Sequence, residues 1–424
     1  MARPGRLLLL VPTQSYRADD FLAAASRLGV RVLVGTDRCH RIEEAFGPEE
    51  GLISVDYRKP EEAAEEIARA AAREPLAGVI ATDDGTAVIA ALAAERLGLP
   101  RNPPTAARRT ASKVAQREAL RAAGQPVPWF RAFPLQDGPD GPSTGVPYPC
   151  VLKPVGLSGS RGVIRADDPA SFREAWRRIA AILATARTDR KAREEGEGSR
   201  ILVEAFVPGG EVALEGLLRD GRLEPLALFD KPDPLDGPFF EETIYVTPSR
   251  LPAAVQAEVV TTVARAAEAL GLREGPVHAE ARLGPAGPVI LEVAARTIGG
   301  LCARSLRFGT GASLEELVVA HAVGLPLSSV LREARASGVM MLPIPRLGIL
   351  HGVGGLDAAR AVPGVEDVVV TVPVGREVVP LPEGDAYLGF AFARGETPGA
   401  VEASLREAAA RLLWDIRAQL PTVR

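Results

Sequence analysis

The chain has 424 residues, a formal net charge of -4 and 25% charged residues. Its length allows about three domains at roughly 150 residues each, and its 46% hydrophobic content can fill packed cores, which excludes a disordered chain. The slight acidity argues against nucleic acid as a partner, and no apolar run approaches the ~20 residues needed to span a membrane.

The first hundred residues alternate strands and helices. Leu7–Val11 is too short for a signal peptide and no small-residue cleavage site follows it, so Arg6–Val11 reads as a buried strand. Asp19–Leu28 reads as a helix stopped by Gly29, and Val30–Val34, Leu52–Val55 and Gly78–Ala81 as further strands. Pro60–Arg73 and Thr86–Leu97 have helical periodicity, the latter closed by Gly98 and Pro100. This alternation predicts a parallel sheet with crossover helices. The segment Val11-Pro12-Thr13-Gln14-Ser15 lacks the dinucleotide glycine fingerprint, which argues against a nicotinamide or flavin cofactor.

Ser112 is placed to cap a helix through Ala123, which Gly124, Pro126 and Pro128 end. A proline-glycine loop, Asp137 to Pro149, precedes an apolar strand, a glycine-rich turn and a helix from Ala170 to Ala186. The charged stretch Arg187 to Ser199 reads as a solvated connector. From Arg200 to Leu325 the pattern is strand-rich, with helices at Ala253–Leu270 and Leu314–Val323. Gly338 to Arg424 reads as a separate α+β unit with strands Val339–Leu342, Val368–Val372 and Tyr387–Ala393 and a helix Pro398–Ile416. No internal repeat is present.

Cys39, Cys150 and Cys302 form no CxxC pair or metal spacing, which predicts a reduced, cytoplasmic protein. His40, His278, His321 and His351 lack ligand spacing and read as structural. Only five lysines occur, Lys59, Lys113, Lys153, Lys191 and Lys231, and Asn102 is the sole asparagine. A GC-rich coding bias accounts for both. A lysine retained in such an arginine-using chain marks places where a compact point charge serves better than a planar fork.

Three segments carry chemistry. In Cys150 to Val163 a strand delivers Lys153, and Gly156, Gly159 and Gly162 follow with Ser160 between them. Glycines let backbone N–H groups approach phosphate oxygens, although a plain tight turn has the same composition. The lysine precedes the glycines, so this is not the P-loop pattern. In Arg200 to Val212 an apolar strand ends at Glu204, and Glu211 follows a turn. Such a strand can offer backbone to an adenine edge and a carboxylate to ribose hydroxyls; an ordinary strand–turn–strand with surface acids reads equally well. His278 to Arg296 reads as a hairpin that places Glu280 and Glu292 on paired strands. Two carboxylates and triphosphate oxygens make a magnesium site, because Mg²⁺ takes oxygen ligands and shares them with nucleotides.

In this order the segments resemble the ATP-grasp superfamily of carboxylate–amine ligases, over roughly residues 75 to 325. The helix Ser112-Lys113 through Arg117, Leu120, Gly124 and Pro126 is similar to the one that precedes the grasp lid. The resemblance implies a multidomain α/β and α+β fold: an N-terminal parallel α/β domain over 1–108, a small subdomain and lid over 109–205, a large antiparallel subdomain over 206–335 and a C-terminal α+β domain over 336–424. It assigns Lys113, Lys153, Gly159, Ser160, Gly162 and Lys231 to phosphates, Glu204, Ala205 and Val207 to adenine, Glu211 to ribose, and Glu280 and Glu292 to Mg²⁺, with Mn²⁺ as a substitute. It assigns Arg296, with Lys231, to catalysis on an acyl phosphate. Arg304 and Arg307 could hold a substrate carboxylate or a structural salt bridge, and Phe239, Phe240 and Glu242 are candidate pocket lining. Ala294 stands where the family often has an asparagine that completes the metal shell.

Gly348-Ile349-Leu350, Gly352 to Gly355, Pro363-Gly364-Val365 and Tyr387 to Phe390 look like the last domain of L-amino-acid ligases. The implied activity joins a small-molecule carboxylate to an amine with release of ADP and phosphate, with a homodimer as a candidate assembly. Two alternatives stay open: a carboxylase-like or purine-pathway ligase, and a nucleotide-binding module without catalysis, for which Ala294 is the motive.

Overall fold

The structure, a computed structural model, describes residues 5–12, 15, 17–37, 51–185, 199–327 and 329–418. Cys39, His40, Lys191 and the connector up to residue 198 lie outside them. No described helix is long and apolar enough to cross a membrane.

Strands β1 (Arg6–Leu10), β2 (Val32–Thr36), β3 (Leu52–Ser54) and β4 (Leu76–Ala81) form a parallel sheet in the order β3-β2-β1-β4. Helix α1 (Ala18–Arg27) crosses from β1 to β2 and α2 (Pro60–Arg73) from β3 to β4, and α3 (Asp84–Arg96) follows β4. The run Leu7 to Leu10 is fully buried because both sheet faces are covered. Asp83 starts α3 at the carboxyl end of β4 by accepting a hydrogen bond from Thr86 N–H at 2.9 Å. Helices α4 (Pro104–Ala111) and α5 (Lys113–Ala122) follow, and Ser112 caps α5 by accepting from Ala115 N–H at 3.2 Å.

A second sheet is antiparallel. It contains β5 (Phe130–Pro134), β6 (Cys150–Pro154), β7 (Ile164–Ala166) and β8 (Arg200–Ala205) in the order β5-β8-β6-β7, covered by α6 (Pro169–Thr185). Phe172 and Trp176 on α6 stack at 6.0 Å over this sheet's apolar face.

Among the described residues the largest sheet has eight antiparallel strands, the first six in the chain being β9 (Glu211–Arg219), β10 (Arg222–Lys231), β11 (Ile244–Thr247), then after α7 (Ala253–Leu270) β12 (Gly275–Gly284) and β13 (Gly287–Ala294), and after α8 (Leu314–Ala322) β14 (Ala336–Leu342). Beyond β14 come β15 (Gly348–Gly354), α9 (Leu356–Arg360), β16 (Val365–Val370), β17 (Glu377–Val378), β18 (Gly389–Gly395), α10 (Pro398–Arg411) and β19 (Leu413–Arg417). The sheet order is β13-β12-β9-β10-β11-β14-β18-β16. Two expectations change here. The C-terminal segment is not separate in its sheet: β14 pairs with β11 through Val246 and Gly338, so β14, β18 and β16 extend the central sheet. The terminal helix also stops early, because Leu412 is extended and Leu413–Arg417 pairs with β15. β15 was not expected as a strand because glycines open and close it. A Cβ at Gly348 would lie 2.4 Å from the Arg417 carbonyl, so glycine admits the partner strand.

Candidate active site

The lid sheet and the eight-stranded sheet face each other across an open cleft. Lys113, Lys153, Gly159, Ser160, Glu204, Ala205, Val207, Glu211, Glu280 and Glu292 line it, together with Arg117, Phe240, Glu242 and Arg282. Gly162, Lys231 and Arg296 do not.

On the lid side, β6 carries Lys153 and α5 begins at Lys113. Lys153 Nζ lies 2.6 Å from Glu204, whose other partner is Arg117 of α5. Glu204 is buried, so its role here is to anchor Lys153 and Arg117 from the end of β8. Arg117 also donates to the Leu291 carbonyl at 2.8 Å, tying the lid to β13. Burial opposes ionisation of Glu204, but Arg117 and Lys153 outweigh it and hold the carboxyl down from 4.5 to about 2. A carboxylate depressed in this way stabilises the fold above its unfolded pKa and loses that contribution as pH falls toward its folded one. The contribution is on the order of 3 kcal/mol. Urea unfolding between pH 5 and pH 2.5 should therefore fall more steeply for the native chain than for Glu204→Gln; parallel profiles would rule this out.

The loop after β6 bends through left-handed backbone at Gly159 (φ 62°), Ser160 (φ 55°) and Gly162 (φ 69°). Lys113 Nζ donates to the Leu157 carbonyl and so pins the loop's start. Gly162 departs from its expected role. Its N–H donates to the Pro382 carbonyl at 2.9 Å, and a Cβ there would meet Pro154 at 2.9 Å. It shapes the loop from behind, outside the lining of the cleft.

At the hinge after β8, Ala205 N–H donates to Trp129 and Phe206 N–H to Pro149. The Val207 carbonyl accepts from Arg282 at 2.9 Å, whereas Val207 N–H has no acceptor among the described residues. That open donor lies where an adenine ring nitrogen could accept it. Arg282 stacks on Phe206, with 4.8 Å from its guanidinium to the ring centroid.

On the large sheet, Glu280 of β12 stands directly opposite Glu292 of β13. Three acids, Glu211, Glu242 and Glu280, offer oxygens within 4.8 Å of one another and could by geometry hold an ion. Lys231 already fills that place: its ammonium lies 2.6 Å from Glu211, 2.6 Å from Glu242 and 3.0 Å from Glu280. The expected phosphate contact of Lys231 is therefore not what the structure shows, since the side chain is buried behind these carboxylates. Burial disfavours its charge, yet the three acids raise its pKa well above the usual lysine value. Burial pushes the Glu242 carboxyl up to about 7, against the pull of Lys231. For Glu280 burial is overcome by Lys231 and His278, and its pKa lies well below the usual range. His278 is itself raised to about 9, burial being outweighed by Glu215, whose second oxygen accepts from Ile298 N–H at 3.0 Å.

Glu280 and Glu292, opposite one another on paired strands, could hold a magnesium ion. Glu292 has no hydrogen-bond or ion-pair partner among the described residues, and only Oε1 of Glu280 is engaged. Both offer the hard oxygen donors that Mg²⁺ takes. Ala294 is buried and its methyl offers no ligand atom.

Arg296 projects toward the N-terminal sheet, where its guanidinium donates to Asp84 at 2.7 Å and to the Thr297 carbonyl at 3.0 Å. Burial disfavours its charge, but Asp84 outweighs burial and keeps it firmly protonated. Asp84 escaped the sequence reading, although an Asp-Asp pair at the carboxyl end of a parallel strand is a visible signal. Asp84→Asn should loosen Arg296 and lower turnover about 10²-fold with little change in nucleotide affinity. Unchanged turnover in steady-state assays would remove this role. Arg304 forms a salt bridge with Asp20 at 2.9 Å, whereas Arg307 forms none among the described residues and donates to the carbonyls of Arg304 and Leu306 at 2.8 Å. Phe240 and Glu242 line the cleft, whereas Phe239 packs into the lid core beneath Arg178.

Comparison with known proteins places this geometry. Residues 146–305 match the ATP-grasp domain, 22–101 the ATP-grasp N-terminal domain and 340–417 the L-amino acid ligase C-terminal domain 2. The crystal structure of an L-amino acid ligase from Bacillus licheniformis superposes with a TM-score of 0.81 at 27% identity, covering 98% of this chain and 100% of that one. Carnosine synthase 1 of Gallus gallus is 32% identical over 80% of this chain and 38% of its own length. Alanine–anticapsin ligase of Bacillus subtilis (strain 168) is 27% identical over 58% of this chain and 53% of its own length. The chain thus spans less than two thirds of either curated enzyme.

Proposed function

This chain is a member of the ATP-grasp superfamily that resembles the L-amino-acid ligases, and on that premise we propose that it joins two amino acids at the expense of ATP. The observation that carries the reading is the convergence on one cleft of Lys113, Lys153, the left-handed loop at Gly159-Ser160, and the opposed carboxylates Glu280 and Glu292. That set suits a triphosphate, with cations and a glycine loop on the lid side and two carboxylates on the sheet opposite.

The hinge at Ala205–Val207 receives adenine, with Val207 N–H as donor. Glu211 reaches the ribose from the start of β9. Lys113 and Lys153 draw charge from the phosphates while a substrate carboxylate attacks the γ-phosphorus, giving an acyl phosphate and ADP. Positioning and electrostatics do most of this work. A magnesium ion held by Glu280 and Glu292, for which manganese could substitute, supplies further neutralisation of the triphosphate. The amine then attacks the acyl carbon and phosphate leaves. Arg296, fixed by Asp84, faces the negative charge that develops on the tetrahedral oxygen. Asp84 thereby couples the N-terminal domain to the reacting centre.

The test is ADP release with Mg²⁺ over paired amino acids, with products identified by mass. Amide product and ADP in equal amounts are expected for a subset of pairs. ADP formation that depends on bicarbonate instead would replace amino-acid ligation by carboxylation, and nucleotide binding with no turnover on any pair would mark a binding module.

A further inference from the structure

The phosphate loop is fastened to a distant part of the chain. Gly162 N–H donates to the Pro382 carbonyl at 2.9 Å, and Arg161 Nε to the Glu383 carbonyl at 2.9 Å. Arg161 also reaches Asp385 at 3.3 Å. From α6, the helix that covers the lid sheet, Arg178 grips the Glu383 carboxylate with two parallel hydrogen bonds, the longer 2.9 Å. The same guanidinium lies 4.6 Å from the centroid of Phe239, so its planar fork is oriented before it meets Glu383. Loop and helix are thus held by one short segment of the C-terminal unit. Its carboxylate takes the helix and its carbonyls take the loop. The loop's own hydrogen bonds are few: Arg161 N–H to Ser158 at 3.4 Å and Val163 N–H to Ser160 at 3.1 Å. Most of what fixes its position is therefore external.

We propose that Pro382–Asp385 is a latch that holds the phosphate loop over the cleft, its carbonyls binding the loop directly and the Glu383 carboxylate acting as a positioning group that fixes the segment through Arg178. The inference rests on the ATP-ligase reading of the cleft and adds to it a task for the C-terminal unit. With the latch closed, Gly159 and Ser160 stay over the phosphates and water is kept from the acyl phosphate. With the latch released, water adds to the acyl carbon and the bond to the phosphate oxygen breaks. Carboxylate, inorganic phosphate and a proton leave, so one ATP is spent without an amide.

Three variants of the full chain test this: Glu383→Ala, Arg178→Glu, and the exchange Arg178→Glu with Glu383→Arg. Each single variant should raise the KM for ATP roughly fivefold and raise the ratio of ADP to amide, while the thermal midpoint stays near that of the native chain. The exchange should restore both, which a merely structural role would not produce. Hydrogen exchange at the Gly162 amide gives a readout independent of turnover and should speed up in both single variants. Native KM, native coupling ratio and native exchange in Glu383→Ala would overturn the latch. If the native chain bound no ATP, the reading of the cleft would fall, and faster or unchanged exchange at Gly162 would still decide whether the segment holds the loop.

Discussion

Glu292→Gln is expected to lower ADP formation about 10²–10³-fold, the scale on which a single preorganised charge at a reacting centre acts. The change removes one negative charge and keeps the shape of the side chain. Because Glu292 has no partner among the described residues, no ion pair breaks and no buried group is stranded, so the thermal midpoint should hardly move. This separates the residue from its opposite, Glu280, whose loss would also release Lys231, Tyr245 and His278. The magnesium concentration for half-maximal rate should rise in the variant. A variant that keeps native turnover and native magnesium dependence would remove Glu292 from the metal site and, with it, the proposed placing of the triphosphate.

Lys231→Met acts on the fold. The ammonium is 3% exposed and faces three carboxylates. Removing one partner of a buried ion pair commonly costs about 3–5 kcal/mol, because the remaining charges are left uncompensated. Against a typical total of about 5–15 kcal/mol, that is a large share. Urea unfolding should show a lower midpoint with an unchanged slope. Lys231→Arg should recover only part of the loss, since a planar fork cannot reach three acids arranged around a point. A midpoint equal to that of the native chain would show that the three acids do not depend on this cation.

Much of this was legible in the sequence, for reasons that can be given residue by residue. The hairpin that carries Glu280 and Glu292 follows from a short glycine turn between two alternating runs, but that turn's register alone would set Glu280 opposite Leu291; a bulge between Glu280 and Ala281 brings it opposite Glu292. The N-terminal sheet follows from alternating apolar strands and helices, and Ser112 marks a helix start by its chemistry. What escaped depends on contacts between distant segments. Arg282 and His278 sit on the same strand face as Glu280, a polar stripe between Val277, Ala279 and Ala281 that period-two reading makes visible. Their partners Glu211 and Glu215 belong to another strand and cannot be paired with them by pattern alone. Asp84 meets Arg296 across more than two hundred residues. Lys231 was correctly singled out as unusual in an arginine-using chain. Charge and rarity could not tell whether its ammonium faces a phosphate or its own neighbours. The joining of the C-terminal unit to the central sheet was not foreseen, because local spacing carries no sign that β14 would pair with β11.

That junction makes the C-terminal part indispensable to more than the latch. A chain ended near residue 335 would leave β11 unpaired on one side, exposing the backbone N–H and carbonyl groups that β14 satisfies. The faces of Ile244 and Val246 that pack against Val401 and Leu405 would be bared as well. An open apolar edge of this kind recruits other chains. A shortened protein is therefore expected to be lost to aggregation before its chemistry can be assayed, and dissecting this chain by truncation would report on solubility where point substitutions report on mechanism.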